Sequence, residues 1–242
     1  CDRWYVHLTS PETSDNFRDA IATIQPYKGI RDHSKRPKWY HAIREHIMAN
    51  WHGIMHTGHE ADDGLAMVHY GTLPAPTPDV SGLVHSRGEV ISYSPPVVIA
   101  SIDKDLKGVR GATLFNWSHA TTVTLSDEEA NRWFYTQCLT GDLVDHIKGL
   151  SLTRPESKYL GKSVGMKNPW VVSLDALTDP VDMYQLVLDA YWERDYKMDK
   201  MGPKLSAPLM RMVELGPAGS LLENARLLHM LEYPGQLWEP PQ

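Results

Sequence analysis

A short apolar run that leads into two aspartates constrains the fold of this chain most strongly. Val97-Val98-Ile99-Ala100 is typical of a buried strand, and Asp103 and Asp105 follow it closely. Acids at the end of a buried strand are where α/β folds place their chemistry. Because the two aspartates are two residues apart, we expect them to share a face if the strand continues that far. The run predicts an α/β fold with a central, mostly parallel sheet flanked by helices.

Two further acidic clusters lie where other elements are predicted to begin or end. Glu60, Asp62 and Asp63 open a predicted helix over 60–70, where carboxylates suit the helix dipole. Asp142 and Asp145 are three residues apart, which predicts one face of a helical turn. Each cluster alone is explained by charge at a helix start or by a solvated loop. Together they supply seven carboxylates, which would repel one another if they converged without a metal ion.

Converging carboxylates indicate a site for hard divalent cations. Mg²⁺ and Mn²⁺ prefer oxygen ligands, and a two-metal nuclease holds its ions roughly 3.5–4 Å apart. We therefore predict one acidic pocket for two divalent ions, Mg²⁺ or Mn²⁺. The predicted metal ligands are Glu60, Asp62, Asp63, Asp103, Asp105, Asp142 and Asp145.

Residues 17–46 form a basic segment with interleaved aromatic side chains. Three acids are outnumbered there by seven basic residues: Arg18, Lys28, Arg31, Lys35, Arg36, Lys38 and Arg44. Tyr27, Trp39 and Tyr40 lie among them, a pattern typical of phosphate contact combined with base stacking. A solvated basic face is the alternative. The net charge of −6 means that any DNA contact must come from a local patch of this kind.

Composition excludes several other classes. Hydrophobic residues make up 42% of the 242 residues, yet no apolar stretch approaches the roughly 18 residues of a membrane span, so we expect no membrane partner. Two cysteines cannot form a secreted-type disulfide framework, which favours a reducing cytoplasm. His52, His56 and His59 lack the helical spacing of a zinc motif. The chain begins with Cys, so we expect a fragment or processed product. We also expect the protein to be a monomer.

The three acidic clusters, in this order, resemble the metal-binding motifs of the phage 5′→3′ exonuclease and flap endonuclease family. Residues 98–106 are similar to the family's strand ending in Asp-Lys-Asp-Leu, and residues 141–150 resemble its Gly-Asp-X-X-Asp-Asn-Ile-X-Gly turn. Upstream, residues 26–31 resemble its Tyr-Lys-Gly-Asn-Arg segment. The tail resembles podovirus-type members, and the similarity is weakest over 72–92 and 151–178.

The resemblance implies a PIN-like, flap-endonuclease fold with two parts. Residues 1–138 would form the nuclease domain with its basic arch segment, and residues 139–242 a helix-hairpin, DNA-binding and C-terminal helical region. The implied reaction is metal-dependent hydrolysis of DNA that has a 5′ end or 5′ flap, in the host cytoplasm if the protein is phage-encoded.

The resemblance also implies roles for individual residues. Glu60 and Asp62 would bind one ion. Asp103, Asp105 and Asp142 would bind or support the second, with Asp63 and Asp145 completing the shell. Lys28 and Arg31 would be catalytic, stabilising charge on the scissile phosphate. The implied DNA contacts are Arg18, Tyr27, Lys28, Arg31, Lys35, Arg36, Lys38, Gly149 and, in a displaced remnant of the hairpin motif at 164–167, Lys167.

The chain departs from the family pattern near its start. Family members carry one Asp on a first strand, before the point where this chain begins, and a second just after the strand corresponding to residues 4–8. Here that second position is Thr9, Ser10 or Pro11, and Asp15 is the nearest acid. Two alternatives therefore stay open: a structure-specific DNA-binding protein without catalysis, and a PIN-type ribonuclease.

Overall fold

The computed structural model describes residues 4–11, 16–31, 35–73, 97–150, 165–199 and 205–242. Strands and helices alternate in the first half, and helices dominate the second. In chain order the elements are β1 (Val6–Thr9), α1 (Phe17–Ile21), α2 (Tyr40–Asn50), β2 (Gly53–His56), α3 (Ala61–His69), β3 (Val98–Ala100), a 3₁₀ turn (Asp105–Gly108), β4 (Thr113–Asn116), β5 (Thr121–Thr124), α4 (Asp127–Thr140), α5 (Pro169–Leu174), α6 (Pro180–Asp199) and α7 (Ala207–Leu228).

The strands of the described residues form two short sheets in which parallel pairing predominates. β1 pairs in parallel with β2, with Val6 opposite Gly53. β3 pairs in parallel with β4, and β4 pairs antiparallel with β5. Helices flank both sheets, so the predicted α/β class with mostly parallel strands is confirmed. The structure differs from the prediction of one central sheet, because the described strands are divided between two sheets.

The largest apolar cluster joins α4 to α6 and α7. Cys138 and Tyr191 are fully buried there, and the Tyr191 hydroxyl donates a 2.8 Å hydrogen bond to the Cys138 carbonyl. The spacing of Ala130, Phe134 and Cys138, four residues apart, predicts a core stripe on α4, and all three are buried there. Because the cluster draws residues from both sides of position 138, the two-part division of the chain stays a prediction.

Several helix starts follow their sequence signals. Ser126 Oγ accepts a hydrogen bond from the Glu129 N–H at 3.1 Å, and the Glu129 carboxylate accepts one from the Ser126 N–H at 2.8 Å. Ser126-Asp127-Glu128-Glu129 has the sequence pattern of such a capping box, and these reciprocal bonds begin α4. Asp179-Pro180 predicts a helix start with proline at the first helical position, and α6 begins at Pro180. In the described part of the chain, no helix is both long and apolar enough to cross a bilayer.

Two predicted acidic motifs adopt a different local structure. β3 ends at Ala100, so Asp103 and Asp105 do not share a strand face, and Asp105 opens the 3₁₀ turn instead. Gly141 ends α4 with φ 70°, and Asp142 then bridges to Ile147 across a tight turn rather than a helix. Glycine tolerates this positive φ without a Cβ clash, which is why the chain reverses here.

The last helix also differs from its prediction. The spacing of apolar residues predicts a helix over 220–232, whereas α7 begins at Ala207 and ends at Leu228. Gly216, with φ 70°, and Pro217 kink it in the middle, because glycine adopts that backbone angle and proline lacks an N–H. The apolar pattern therefore located only the second half of this helix.

A buried ion pair joins α1 to α3, and its arginine also contacts the end of α7. Arg18 and Asp63 are 1% and 0% exposed, and the guanidinium contacts both carboxylate oxygens, at 2.5 and 2.8 Å. Arg18 also donates to the carbonyls of Leu227 and His229, and Asp63 accepts from the Leu231 N–H. Both side chains are thus engaged inside the protein, with Asp63 as the counter-charge of Arg18. The predicted DNA contact of Arg18 and the predicted metal-ligand role of Asp63 stay predictions.

Candidate active site

One cleft of about 1600 Å³ opens beside the carboxyl ends of β1 and β3. Glu60, Asp62 and Asp103 line it, so side chains from two acidic clusters that are distant in sequence meet there. Basic side chains from the 17–46 segment also line it: Lys28, Arg31, Lys35 and Arg36. The cleft thus combines carboxylates at the strand ends with cations suited to a phosphate backbone.

Glu60 is held at the start of α3 by contacts from the turn at residues 26–31. It is the N-cap of α3, and its own N–H donates to Asp63 at 3.1 Å. The Tyr27 hydroxyl donates to Glu60 Oε2 at 2.8 Å, and the Lys28 ammonium pairs with Glu60 Oε1. Tyr27 is 7% exposed and positions this carboxylate, and its predicted contact with DNA stays a prediction.

Asp145 joins the same group from the turn that follows α4. Its carboxylate lies 3.0 Å from the Tyr27 hydroxyl, 3.5 Å from the Lys28 ammonium and 2.8 Å from the Arg31 guanidinium. The Lys28 N–H donates to the Asp145 carbonyl at 2.9 Å, which ties the two turns together. Lys28 adopts a left-handed backbone with φ 51°, uncommon for a residue with a side chain. Lys28 and Arg31 are therefore fixed beside the carboxylates.

A second group forms where the turn after β3 meets the end of α4. The Lys104 ammonium pairs with Asp142 Oδ2 and lies 3.6 Å from Asp105 Oδ1. Gln137 of α4 donates to the same Asp105 oxygen at 2.5 Å. Burial raises the pKa of Asp105, the Lys104 ammonium opposes this shift, and the neighbouring charges of Asp103 and Asp142 add to it. The predicted ligands Asp103, Asp105 and Asp142 are therefore electrostatic neighbours.

Asp62 lies between the cleft and the buried ion pair. Burial, then the negative charges of Asp63 and Glu60, raise the pKa of Asp62 to about 8. A carboxylic acid with this pKa binds a proton at pH 7 that an unfolded chain would release. A divalent cation beside Asp62 would oppose this shift by favouring the ionised form.

The raised pKa of Asp62 predicts a pH-dependent stability difference. The folded protein binds the Asp62 proton up to about pH 8, whereas the unfolded chain loses it near pH 4, so the contribution of Asp62 to stability falls as the pH rises between these values. The full shift would correspond to about 5 kcal/mol, but Asp62 lines an open cleft where solvent screens its charge, so we expect Asp62→Asn to gain at least about 1 kcal/mol relative to the parent between pH 4.5 and 8. Urea unfolding of both proteins across this range measures the difference. Parallel pH profiles for the two proteins would contradict the shift.

Asp19 is a cleft carboxylate that sequence reasoning missed. It was counted only as an acid within the basic segment, but it lines the cleft from α1. Burial and the charge of Glu60 raise its pKa, while Lys28 opposes the shift. The side chain of Asn16 accepts a 3.1 Å hydrogen bond from the Arg18 N–H and so begins α1. Asn16 was the sequence signal for this helix start, which places Asp19 in the first turn.

Aromatic side chains also line the cleft, and most were missed as well. Trp4, Trp51 and Trp117 line it and are 47%, 50% and 58% exposed. The rings of Trp4 and Trp51 lie 5.5 Å apart. The guanidinium of Arg36 lies 5.0 Å from the ring centre of Tyr40, which lines the cleft too. These rings come from distant parts of the sequence, so no local pattern could have grouped them.

Three histidines form a hydrogen-bonded row along the cleft wall. His7 Nδ1 lies 2.8 Å from His56 Nε2, and His56 Nδ1 lies 3.0 Å from His59 Nε2. Burial lowers the pKa of His7 and of His56 to about 4, and each has a neighbouring histidine that lowers it further. They are therefore neutral at pH 7 and pack β1 against β2 and the start of α3.

Other predicted DNA contacts lie away from the cleft lining. Lys38 lies 5.0 Å from the ring centre of Trp39, and Lys167 follows Gly165 in an exposed turn. Gly149 packs against Gly141 in the turn that carries Asp142 and Asp145. Their predicted contact with DNA stays a prediction. Asp15 and Val164 lie outside the described residues.

The donor chemistry of the cleft suits Mg²⁺ or Mn²⁺, but ammonium groups lie between the carboxylates. Every candidate ligand offers carboxylate oxygen, which hard divalent ions prefer. Within the described ranges, no three His, Cys, Asp or Glu side chains are arranged to hold a metal ion. Lys28 and Lys104 instead balance the carboxylates of Glu60, Asp145, Asp105 and Asp142. A bound ion would take over this charge balance.

Comparison with known proteins gives only distant likenesses. No protein-family model matches the chain, and no curated protein matches it significantly. Two solved structures align with it at a TM-score of 0.40 and 16% sequence identity. One is the T5 D15 protein co-crystallised with metal ions, with 87% of this chain and 83% of that chain covered. The other is the T5 5′-exonuclease with bound zinc, with 91% and 83% covered. These similarities are too low to assign a function.

Proposed function

We propose that this chain is a divalent-metal-dependent nuclease that hydrolyses DNA near a 5′ end or within a 5′ flap. The observation that carries the proposal is a single cleft lined by Glu60, Asp62 and Asp103, with Lys28 and Arg31 beside them. Neighbouring carboxylates that raise one another's pKa are typical of catalytic sites that hold cations. The raised pKa of Asp62 and of Asp105 supports this interpretation.

Two groups of carboxylates would hold the ions, and Asp103 is the member of the second group that lines the cleft. Glu60 and Asp62 would hold one ion, and Asp103, Asp105 and Asp142 would hold or support the second. When bound, such ions lower the pKa of a coordinated water and stabilise charge on the leaving oxygen. Asp145 would not bind an ion directly but would act from outside the ligand shell, because its carboxylate already accepts hydrogen bonds from Tyr27 and Arg31.

Lys28 and Arg31 would stabilise the phosphate as negative charge develops on it. The turn that carries them is fixed by the Lys28 N–H bond to the Asp145 carbonyl, so both side chains are positioned in advance. Positioned cations of this kind typically contribute about 10²–10³ in rate, because they need no reorganisation during the reaction. Their contacts with Glu60 and Asp145 would be exchanged for contacts with phosphate oxygens.

Exposed aromatic rings in the same cleft favour an unpaired strand as the substrate region. Bases can stack on Trp4, Trp51 or Trp117 only when they are not paired in a duplex. Arg36 and Lys35 lie in the same lining and would contact the phosphates of that strand. A 5′ flap or a frayed 5′ end supplies such a strand.

One observation favours binding without catalysis as a second candidate. The position at which family members carry their second aspartate is Thr9, Ser10 or Pro11 here. Thr9 Oγ1 accepts a 2.9 Å hydrogen bond from the Ala61 N–H. Thr9 thus helps fix the start of α3 and contributes no carboxylate. A protein with fewer ligands could bind flaps yet cleave them slowly.

Matched substrates distinguish these functions. Cleavage of a 5′-labelled DNA flap and of the identical RNA flap is measured in Mg²⁺ and Mn²⁺, and binding of both is measured in EDTA. We expect DNA cleavage with either ion and weak or no RNA cleavage. Salt-sensitive DNA binding without cleavage would favour the binding protein. Faster cleavage of RNA would favour a PIN-type ribonuclease and contradict the proposal.

A further inference from the structure

The buried carboxylate of Asp142 has each of its oxygens paired differently. The Asp142 side chain is 2% exposed. Oδ1 accepts from the backbone N–H groups of Val144 and Asp145, at 2.7 and 3.1 Å. Oδ2 receives the Lys104 ammonium. Because an unpaired buried carboxylate oxygen is costly, Oδ2 requires a cation or a donor at this position.

Lys104 fills that position from an exposed side chain. Its side chain is 48% exposed, and its ammonium also lies 3.6 Å from Asp105. A four-carbon stem with a half-exposed ammonium can turn into water at little cost in desolvation. Lys28, which pairs with Glu60, is only 17% exposed and sits in a fixed turn. Lys104 is therefore the more easily displaced of the two ammonium groups.

We propose that Lys104 is a tethered counter-cation that competes with a divalent ion for Asp105 and Asp142. The inference rests on the proposed metal-dependent function and adds a residue that regulates how much metal is bound. An ammonium and a divalent ion cannot share these oxygens, because like charges at contact distance repel. When the ion enters, the Lys104 side chain turns outward; when it leaves, Lys104 returns and keeps Asp142 paired. The fold is thereby kept stable without metal, at the cost of weaker metal affinity.

Lysine variants test the competition through metal binding rather than cleavage. Lys104→Met removes the competing ammonium. Lys107→Met is the matched control, since Lys107 lies in the 3₁₀ turn that Lys104 precedes but contacts the ring of Trp133, 4.9 Å from its centre. Lys104→Gln keeps a hydrogen-bond donor for Asp142 and serves if the Met variant folds poorly. Free Mn²⁺ is measured by electron paramagnetic resonance during titration of each protein, and thermal unfolding is followed in EDTA and in Mn²⁺.

The competition predicts that Lys104→Met binds Mn²⁺ about fivefold more tightly than Lys107→Met. Each variant lacks one positive charge, but only Lys104→Met lacks the ammonium that competes with the ion. Lys104→Met should melt at a lower temperature than the control in EDTA and recover in Mn²⁺. Equal or weaker Mn²⁺ binding by the Lys104 variants would overturn the inference, even if the parent cleaves DNA. Tighter binding by these variants, with no cleavage by the parent, would uphold the competition and reject the nuclease. No Mn²⁺ binding by any variant would overturn both.

Discussion

Asp63→Asn is expected to destabilise the protein by about 3–5 kcal/mol, because it leaves the buried guanidinium of Arg18 without its counter-charge. Arg18 is 1% exposed and makes four hydrogen bonds, two of them to Asp63. The carboxylate also accepts the N–H groups of Glu60 and Leu231. The substitution therefore weakens the connection between α1, the start of α3 and the segment after α7. Urea unfolding at pH 7 measures the loss.

An exposed ion pair supplies the matched control. Glu193 and Lys197 form an i,i+4 pair on α6 with side chains 43% and 46% exposed, so Glu193→Gln should cost no more than about 0.5 kcal/mol. Replacing both buried partners, as in Arg18→Met/Asp63→Leu, should recover much of the stability that Asp63→Asn loses. A cost below about 1 kcal/mol for Asp63→Asn would show that the pair does not hold these segments together.

Gly149→Ala is expected to cost about 3 kcal/mol or more, because the added methyl group has no space. Gly149 has φ 54°, and a Cβ there would lie 2.3 Å from the Gly141 nitrogen and 2.8 Å from the Leu139 carbonyl oxygen. Both neighbours are backbone atoms, so the turn itself must move. That turn carries Asp142 and Asp145. We therefore expect Gly149→Ala also to weaken Mn²⁺ binding.

Gly71→Ala separates the clash from backbone strain. Gly71 has φ 71°, but a Cβ there meets nothing within 4 Å. This control should cost only about 1–2 kcal/mol, the usual penalty of a left-handed backbone for alanine. Denaturant midpoints and Mn²⁺ titrations of both variants give the comparison. Similar costs for the two substitutions would mean that the turn at Gly149 yields easily and does not fix the carboxylates.

The elements that sequence alone predicted well carry local signals. The capping box at Ser126 and the proline at position 180 each begin a helix through contacts within a few residues, so a short window contains them. The strand at Val98–Ala100 was recognisable from its β-branched residues, but only Ile99 is buried, so the predicted full burial of this run was wrong. β5 (Thr121–Thr124) was missed because all its residues are exposed, so no alternation marks it. Short strands of this kind are fixed by their neighbours in the sheet.

The candidate site was predictable in composition but not in geometry. The acidic clusters identified Glu60, Asp62 and Asp103, since each lies at an element boundary. Charge alone could not distinguish Asp62, which lines the cleft, from Asp63, which is buried against Arg18. That difference depends on a partner 45 residues away. The pairing of Lys104 with Asp142, 38 residues apart, is hidden from a sequence window for the same reason.

Cleavage of a 5′-labelled DNA flap in Mg²⁺ and then Mn²⁺, by the parent and by Asp103→Ala/Asp105→Ala, tests the central claim most directly. We expect metal-dependent cleavage by the parent and a loss of at least about 100-fold in the variant, with its fold and flap binding in EDTA retained. Equal cleavage by both proteins would place catalysis outside this cleft. Flap binding without cleavage by the parent, at any concentration of either ion, would contradict the assignment of this chain as a nuclease.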